Sequence, residues 1–187
     1  MRLRTAVTSM LLLAALSATG APVAQADPRS PLLPLVDAAA QRLQTADPVA
    51  ASKYRTGGPV DDPQREQQVI DAVTADATAK HIDQAYVHDV FRNQIDATDS
   101  VEHSRFAQWK IDPGAAPANA PDLSTSRTTI DNLNQTMVDE IAKQWVVLHS
   151  PSCPADLGQA VDAVVKARNL DPIFRQALAY ATHSYCR

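Results

Sequence analysis

The run Leu35-Val36-Asp37-Ala38-Ala39-Ala40-Gln41-Arg42-Leu43-Gln44-Thr45-Ala46-Asp47-Pro48-Val49-Ala50-Ala51-Ser52-Lys53 is a helix with two cations on its inner face. Apolar residues recur at Leu35, Val36, Ala39, Leu43, Ala46, Val49 and Ala50, the spacing of a helix stripe. At 100° per residue with Leu35 at zero, Ala39 falls at about 40°, Ala46 at about 20° and Val49 at about −40°. Arg42 then falls at about −20° and Lys53 near 0°, inside the stripe. Asp47-Pro48 lies within the run. Asp can cap a helix and Pro suits a first turn, so the helix is expected to kink or restart there.

Working outward, proline and aspartate mark further helices. Tyr54 to Pro59 holds two adjacent glycines and reads as a loop. Asp61-Asp62-Pro63 supplies a cap and an N1 proline for a second helix to about Lys80. Asp83 caps a third to about Lys110, and Asp112 to Pro121 is an extended connection. Ser124 or Thr125 is expected to cap a fourth helix ending near His149. After a turn at Pro151 to Pro154, two shorter helices follow, residues 155–169 and 172–185, the last capped by Asp171. No alternating strand pattern of any length and no internal repeat occurs. The expected fold is all-α, one domain, a bundle of about six helices spanning residues 27–187.

The other stripes are also charged. In the second helix, Val69, Val73 and Ala77 lie at about 40°, 80° and 120° from Arg65, with Asp62 at about 60° and Glu66 at about 100°. In the third, Val87, Phe91, Ile95, Val101 and Trp109 define the buried side, and Thr98, Glu102 and Arg105 share it. In the fourth, Arg127 lies on the stripe of Ile130, Met137, Val138, Ile141 and Trp145. One such charge is ordinary, a long side chain reaching out at the stripe's edge. Arg42, Lys53, Asp62, Arg65, Glu66, Glu102 and Arg127 together point instead to a polar pocket between helices, because unpaired charge is costly to bury. Guanidinium groups in an acidic protein suit a small ligand with several carboxylates.

Composition narrows the function. The 187 residues carry a formal charge of −4, which argues against a nucleic-acid partner. Five Gly are few for a sandwich, a barrel or a glycine-rich nucleotide loop. No G-x-G-x-x-G, P-loop, H-E-x-x-H or C-x-x-C motif occurs. His81, His88, His103, His149 and His183 form no i, i+4 metal pair with a carboxylate, so no metal site is expected. No serine sits in a nucleophile elbow, and the sequon Asn134-Gln135-Thr136 reads as chance.

Residues 1–26 read as a secretory signal peptide. Arg2 and Arg4 precede the apolar run Ala6 to Leu16, too short to span a bilayer, and Ala24-Gln25-Ala26 is a small-x-small cleavage pattern. No other stretch could cross a membrane, so the mature chain is expected to be secreted or periplasmic, with no membrane attachment. Export makes an intramolecular disulfide between Cys153 and Cys186 the favoured reading, over free thiols or a cross-link between chains.

Taken together, these features resemble the exported (gamma) subclass of the all-helical, AroQ-type chorismate mutases, most closely the mycobacterial ones. The resemblance rests on Leu35 to Leu43, Ala46 to Ala51, Glu102-His103-Ser104-Arg105-Phe106 and the cysteine pair, and covers nearly the whole mature chain. It implies isomerisation of chorismate, an intermediate of aromatic amino acid biosynthesis, to prephenate by a [3,3] shift, without cofactor or covalent intermediate. It implies that Arg42 and Arg127 clamp the substrate carboxylates, with Arg65 adding positive charge. Lys53 would donate to the ether oxygen and also reach a carboxylate, with Glu102 on the oxygen's other side. Asp62, Glu66 and Thr98 would border the ring hydroxyl or hold the cations. Relatives place a polar side chain at the position of Glu66 or of Val69; here only Glu66 is polar. A homodimer is implied, each chain completing its own pocket. Glu102 is expected to work protonated, since a carboxylate cannot donate a hydrogen bond. Two other classes fit the same charges: a non-catalytic helical binding protein or effector for an anionic metabolite, and an exported bundle whose inward charges pair only with each other.

Overall fold

The structure, a computed structural model, describes residues 30–187; the expected signal peptide lies outside the described residues. These form α1 (Leu33–Gln44), α2 (Ala46–Thr56), α3 (Pro63–Ala79), α4 (Gln84–Ile111), a 3-10 turn (Pro113–Ala115), α5 (Leu123–Lys143), α6 (Trp145–Leu148), α7 (Cys153–Ala167) and α8 (Pro172–Thr182). There is no strand among the described residues. The class is all-α, as expected.

Eight α-helices stand where about six were expected, because two runs are each split. The first breaks at Thr45. Pro48 has no N–H for the carbonyl of Gln44, four residues back, and its ring crowds that carbonyl. The fourth breaks at Gln144, and Trp145 packs edge-on against Tyr86, ring centres 5.1 Å apart. Caps follow the sequence closely. Asp62 accepts from the N–H of Arg65 at 3.1 Å, Asp83 from Ala85 at 2.7 Å and Asp171 from Phe174 at 2.9 Å. The start of α5 differs from expectation: the cap residue is Asp122, whose carboxylate takes the Ser124 hydroxyl at 2.6 Å, rather than Ser124 or Thr125. Gly57 ends α2 in the left-handed region, φ 70°, where Cβ would be strained.

The long α4 packs against α8, α3 and α2, while α1 packs against α5, α7 and α8. Ala38, Ala39 and Ala40 of α1 are buried, as are Leu35, Val36, Phe91, Met137, Ile141 and Leu178. A smaller cluster lies at the far end of α4. There Tyr54 meets Phe106 and Trp109, ring centres 5.4 Å away in both cases, and donates to the carbonyl of Trp109 at 3.0 Å. Ala116 and Ala120 of the proline-rich connection pack on it, which fixes the approach to α5. Arg105 ties α4 to Asp47 of α2 at 2.7 Å and to Asp171 at 3.2 Å.

Cys153, at the start of α7, is bonded to Cys186 beyond α8, 33 positions along the chain. This crosslink restricts the unfolded chain and is worth roughly 3–4 kcal/mol by loop-closure entropy. Replacing both cysteines with serine is therefore expected to lower the unfolding free energy by about that amount. Urea titrations of variant and wild type measure it; equal midpoints would show that the crosslink stabilises nothing.

Candidate active site

Five helices and one loop enclose a single cavity, with about 570 Å3 of empty space counting its open mouth. Each helix brings its wall in helical register. Arg42 comes from the last turn of α1, and Val49 and Lys53 (i, i+4) from α2. Asp62, Arg65, Glu66 and Val69 come from the first turns of α3. Ile95, Thr98, Asp99 and Glu102 share one face of α4, and Leu123, Arg127 and Ile130 one face of α5. Val60, in the loop before α3, closes one side. Thus all eight side chains singled out from the sequence, Arg42, Lys53, Asp62, Arg65, Glu66, Thr98, Glu102 and Arg127, line the same hollow.

Arg42 is 4% exposed. Its Nε donates to Asn134 Oδ1 at 2.7 Å, and its Nη1 to Thr98 Oγ1 at 3.3 Å and, more weakly, to the Gln94 carbonyl at 3.5 Å. Among the described residues no carboxylate pairs with it, and its Nη2 has no protein acceptor. Burial pulls the guanidinium down to about 10, against a pull upward from nearby Asp99, and it stays charged at neutral pH.

The remaining cations are paired. Lys53 donates to Glu102 Oε2 at 2.9 Å and to the Val60 carbonyl, leaving one of its three N–H groups. Glu102 is 2% exposed; burial raises its carboxyl to about 7, although the Lys53 ammonium pulls the other way. Arg127, the most exposed of the four at 41%, reaches Asp62 Oδ2 at 2.7 Å. Arg65 pairs with Asp131 of α5, and Glu66 with Arg92 of α4 at 2.9 Å. Thr98 accepts from Arg42 and donates to the Gln94 carbonyl at 2.8 Å.

Three groups at this site escaped the sequence reading. Asn134 was set aside with a chance sequon, yet it is buried and holds Arg42. Its place seven residues after Arg127 and three before Met137, on the apolar stripe of α5, was the available signal. Asp131, the partner of Arg65, lies just off that stripe. Asp99 adjoins Thr98 and precedes Glu102 by three, so it shares their face. Among the described residues, no group of three or more His, Cys, Asp or Glu side chains is arranged to hold a metal ion.

Such a hollow offers positive charge on several sides and a donor pair, Lys53 and Glu102, at its back. It is fitted to hold an anion in one conformation and stabilise charge that develops at a fixed point.

Comparison with known proteins points to one family. Residues 34–103 match the family model described as chorismate mutase type II. The chain is 73% identical over 175 residues to the secreted chorismate mutase of Mycolicibacterium smegmatis, covering 94% of this chain and 97% of that one. It is 46% identical over 185 residues to the secreted chorismate mutase of Mycobacterium tuberculosis, covering 99% and 93%. The crystal structure of chorismate mutase from Burkholderia phymatum superposes with a TM-score of 0.80 at 31% identity, over 84% of this chain and 97% of that one. The chain belongs to the type II chorismate mutase family.

Proposed function

We propose that this chain is an exported chorismate mutase and that the cavity beside Arg42 is where chorismate rearranges to prephenate. The observation that supports this reading most is Arg42 itself. Pairing among neighbours accounts for Lys53, Arg65 and Arg127, but it leaves a buried guanidinium with only neutral acceptors and a free Nη2 at the cavity wall. A substrate carboxylate there supplies the missing charge. An exported bundle held together only by mutual pairing of its charges has no use for a buried guanidinium with neutral partners alone.

In the rearrangement the ether C–O bond breaks while a C–C bond forms between the enolpyruvyl methylene and the ring. No proton moves and no covalent intermediate forms, so the protein supplies restraint and electrostatics. Arg42 and Arg127 hold the two carboxylates, Arg65 adds positive charge, and the substrate is kept folded with its reacting ends together. Negative charge grows on the ether oxygen. The spare N–H of Lys53 meets it from one side and the Oε1 proton of neutral Glu102 from the other. Asp62, Glu66 and Thr98 keep the cations in place through the contacts described above.

Met1 to Ala26 is the segment we propose directs export, with cleavage after Ala26, and the M. smegmatis and M. tuberculosis relatives are both named as secreted. Among the described residues no helix is long and apolar enough to cross a membrane. We also propose a homodimer in which each chain completes its own pocket, since every wall described here comes from one chain.

Loss of chorismate absorbance on adding purified protein tests the activity. A receptor would bind chorismate without consuming it, and a purely structural bundle would do neither. Arg42→Lys keeps the charge but loses the planar fork, so kcat/KM is expected to fall about a hundredfold. A loss of less than about threefold would remove Arg42 from substrate recognition.

Glu102 sets a pH dependence with a definite sign. Its acid is the active form, so kcat/KM is fullest well below pH 7 and declines as pH rises through about 7. Glu102→Gln keeps a donor at every pH and is expected to lose that limb. The same decline in the Gln variant would show that the protonation requirement is wrong.

A further inference from the structure

Residues 184–187 lie beyond α8 and are pinned to the bundle at each position. Asn93 Nδ2 donates to Ser184 Oγ at 2.8 Å, and the Tyr86 hydroxyl donates to the Tyr185 carbonyl at 2.7 Å. Cys186 is bonded to Cys153. The N–H of Arg187 donates to the Leu148 carbonyl at 3.2 Å, and its guanidinium sits over the Tyr86 ring, 5.2 Å from the centre. These ties hold one side chain inward. Tyr185 is wholly buried, in the same core cluster as Leu35, Val36 and Ala39 of α1. Its hydroxyl has no hydrogen-bond partner among the described residues. Phenylalanine would fill the same space without stranding a polar group, which is costly in a core.

Arg42 supplies a reason for the hydroxyl. Every acceptor of that guanidinium is a neutral oxygen: Asn134 Oδ1, Thr98 Oγ1 and the Gln94 carbonyl. Nε is held closely, at 2.7 Å, but the two Nη1 contacts are long, 3.3 and 3.5 Å. The Nη end is thus the loosely held end, and it is the end that presents Nη2 to the cavity. Tyr185 lies within the field of this cation. Burial and then Tyr86 push its phenol far above the ordinary range, against the pull of Arg42, so the group is a neutral dipole and not an anion. Gln94 Oε1, on the residue whose carbonyl receives Nη1, is likewise buried and unclaimed.

We infer that Tyr185 is a positioning residue for Arg42: its hydroxyl, held inward by the pinned segment, is a fixed dipole on the protein side of the guanidinium and steadies the loosely held Nη end. This rests on reading the cavity as the chorismate site. Tyr185 is not among the residues of the cavity wall, so it acts through Arg42 and not on the substrate. A carboxylate in its place would neutralise Arg42 and compete with the substrate anion. A neutral dipole steadies the cation and leaves its charge to the ligand. Arg42 holds its carboxylate in the ground state and the transition state alike, so loss of the dipole is expected in KM and not in kcat.

Steady-state kinetics on Tyr185→Phe, Arg42→Lys and the double variant test this. Tyr185→Phe keeps the ring and removes only the oxygen, so it is expected to unfold at the same or a higher urea concentration than the wild type. Its KM for chorismate is expected to rise about fivefold, with kcat within about twofold of wild type. In the Arg42→Lys background the same substitution is expected to change kcat/KM by less than about twofold, because its effect passes through the guanidinium. An unchanged KM in Tyr185→Phe, a loss confined to kcat, or a loss of equal size in both backgrounds overturns the inference while leaving the mutase reading standing. A wild type that does not consume chorismate overturns the mutase reading itself.

Discussion

A guanidinium removed from water must be given acceptors, and Arg42 of α1 receives them from two other helices. Asn134 of α5 takes Nε; Thr98 and the Gln94 carbonyl of α4 take Nη1. The hub is stiffened from behind, where Gln94 Nε2 donates to the Ala39 carbonyl of α1 at 3.0 Å. α1, α4 and α5 can therefore not slide past one another without stranding a buried charge, which would cost several kcal/mol. Their relative placement is what makes a hollow at this point and not a filled core. Fold and site share one polar joint.

The helix breaks direct the other groups to that joint. Splitting the first run at Thr45 lets α2 leave at its own angle, and Lys53 meets α4 beside Glu102. Gly57 then turns the chain back so that Val60 can offer its carbonyl to the same ammonium. Asp62 joins two tasks, since one oxygen starts α3 and the other orients Arg127. The aromatic cluster of Tyr54, Phe106 and Trp109 anchors the connection that delivers α5. Local structural devices and chemistry are thus carried by the same few residues.

Much of this was legible in the sequence because both signals are periodic. Apolar spacing of 3.6 marks the helices, and charges that fall in phase with it mark the hollow. Arg42, Lys53 and Glu102 stood out for that reason. The helix starts were legible where proline or a capping aspartate marks them, at Pro63, Asp83 and Asp171. The break at Gln144 carries no such mark, since it follows from where Trp145 finds Tyr86. Pairing was the least legible. That Arg65 would choose Asp131, or Glu66 choose Arg92, depends on how helices distant in sequence are rotated about their axes. Asn134 and Asp99 were overlooked for other reasons: an uncharged polar residue on an apolar stripe is not conspicuous, and Asp99 falls about 40° beyond Ile95, at the edge of the α4 stripe.

Arg127 reaches the cavity on a helix of the same chain that carries Arg42 and Lys53, led there by a tethered loop. A hollow walled by a single polypeptide does not come apart when protein becomes scarce, whereas one shared between subunits empties as they dissociate. Turnover per molecule should consequently hold constant down to the lowest concentrations at which it can be followed. That property suits a catalyst released into a large volume, where encounters between copies are rare.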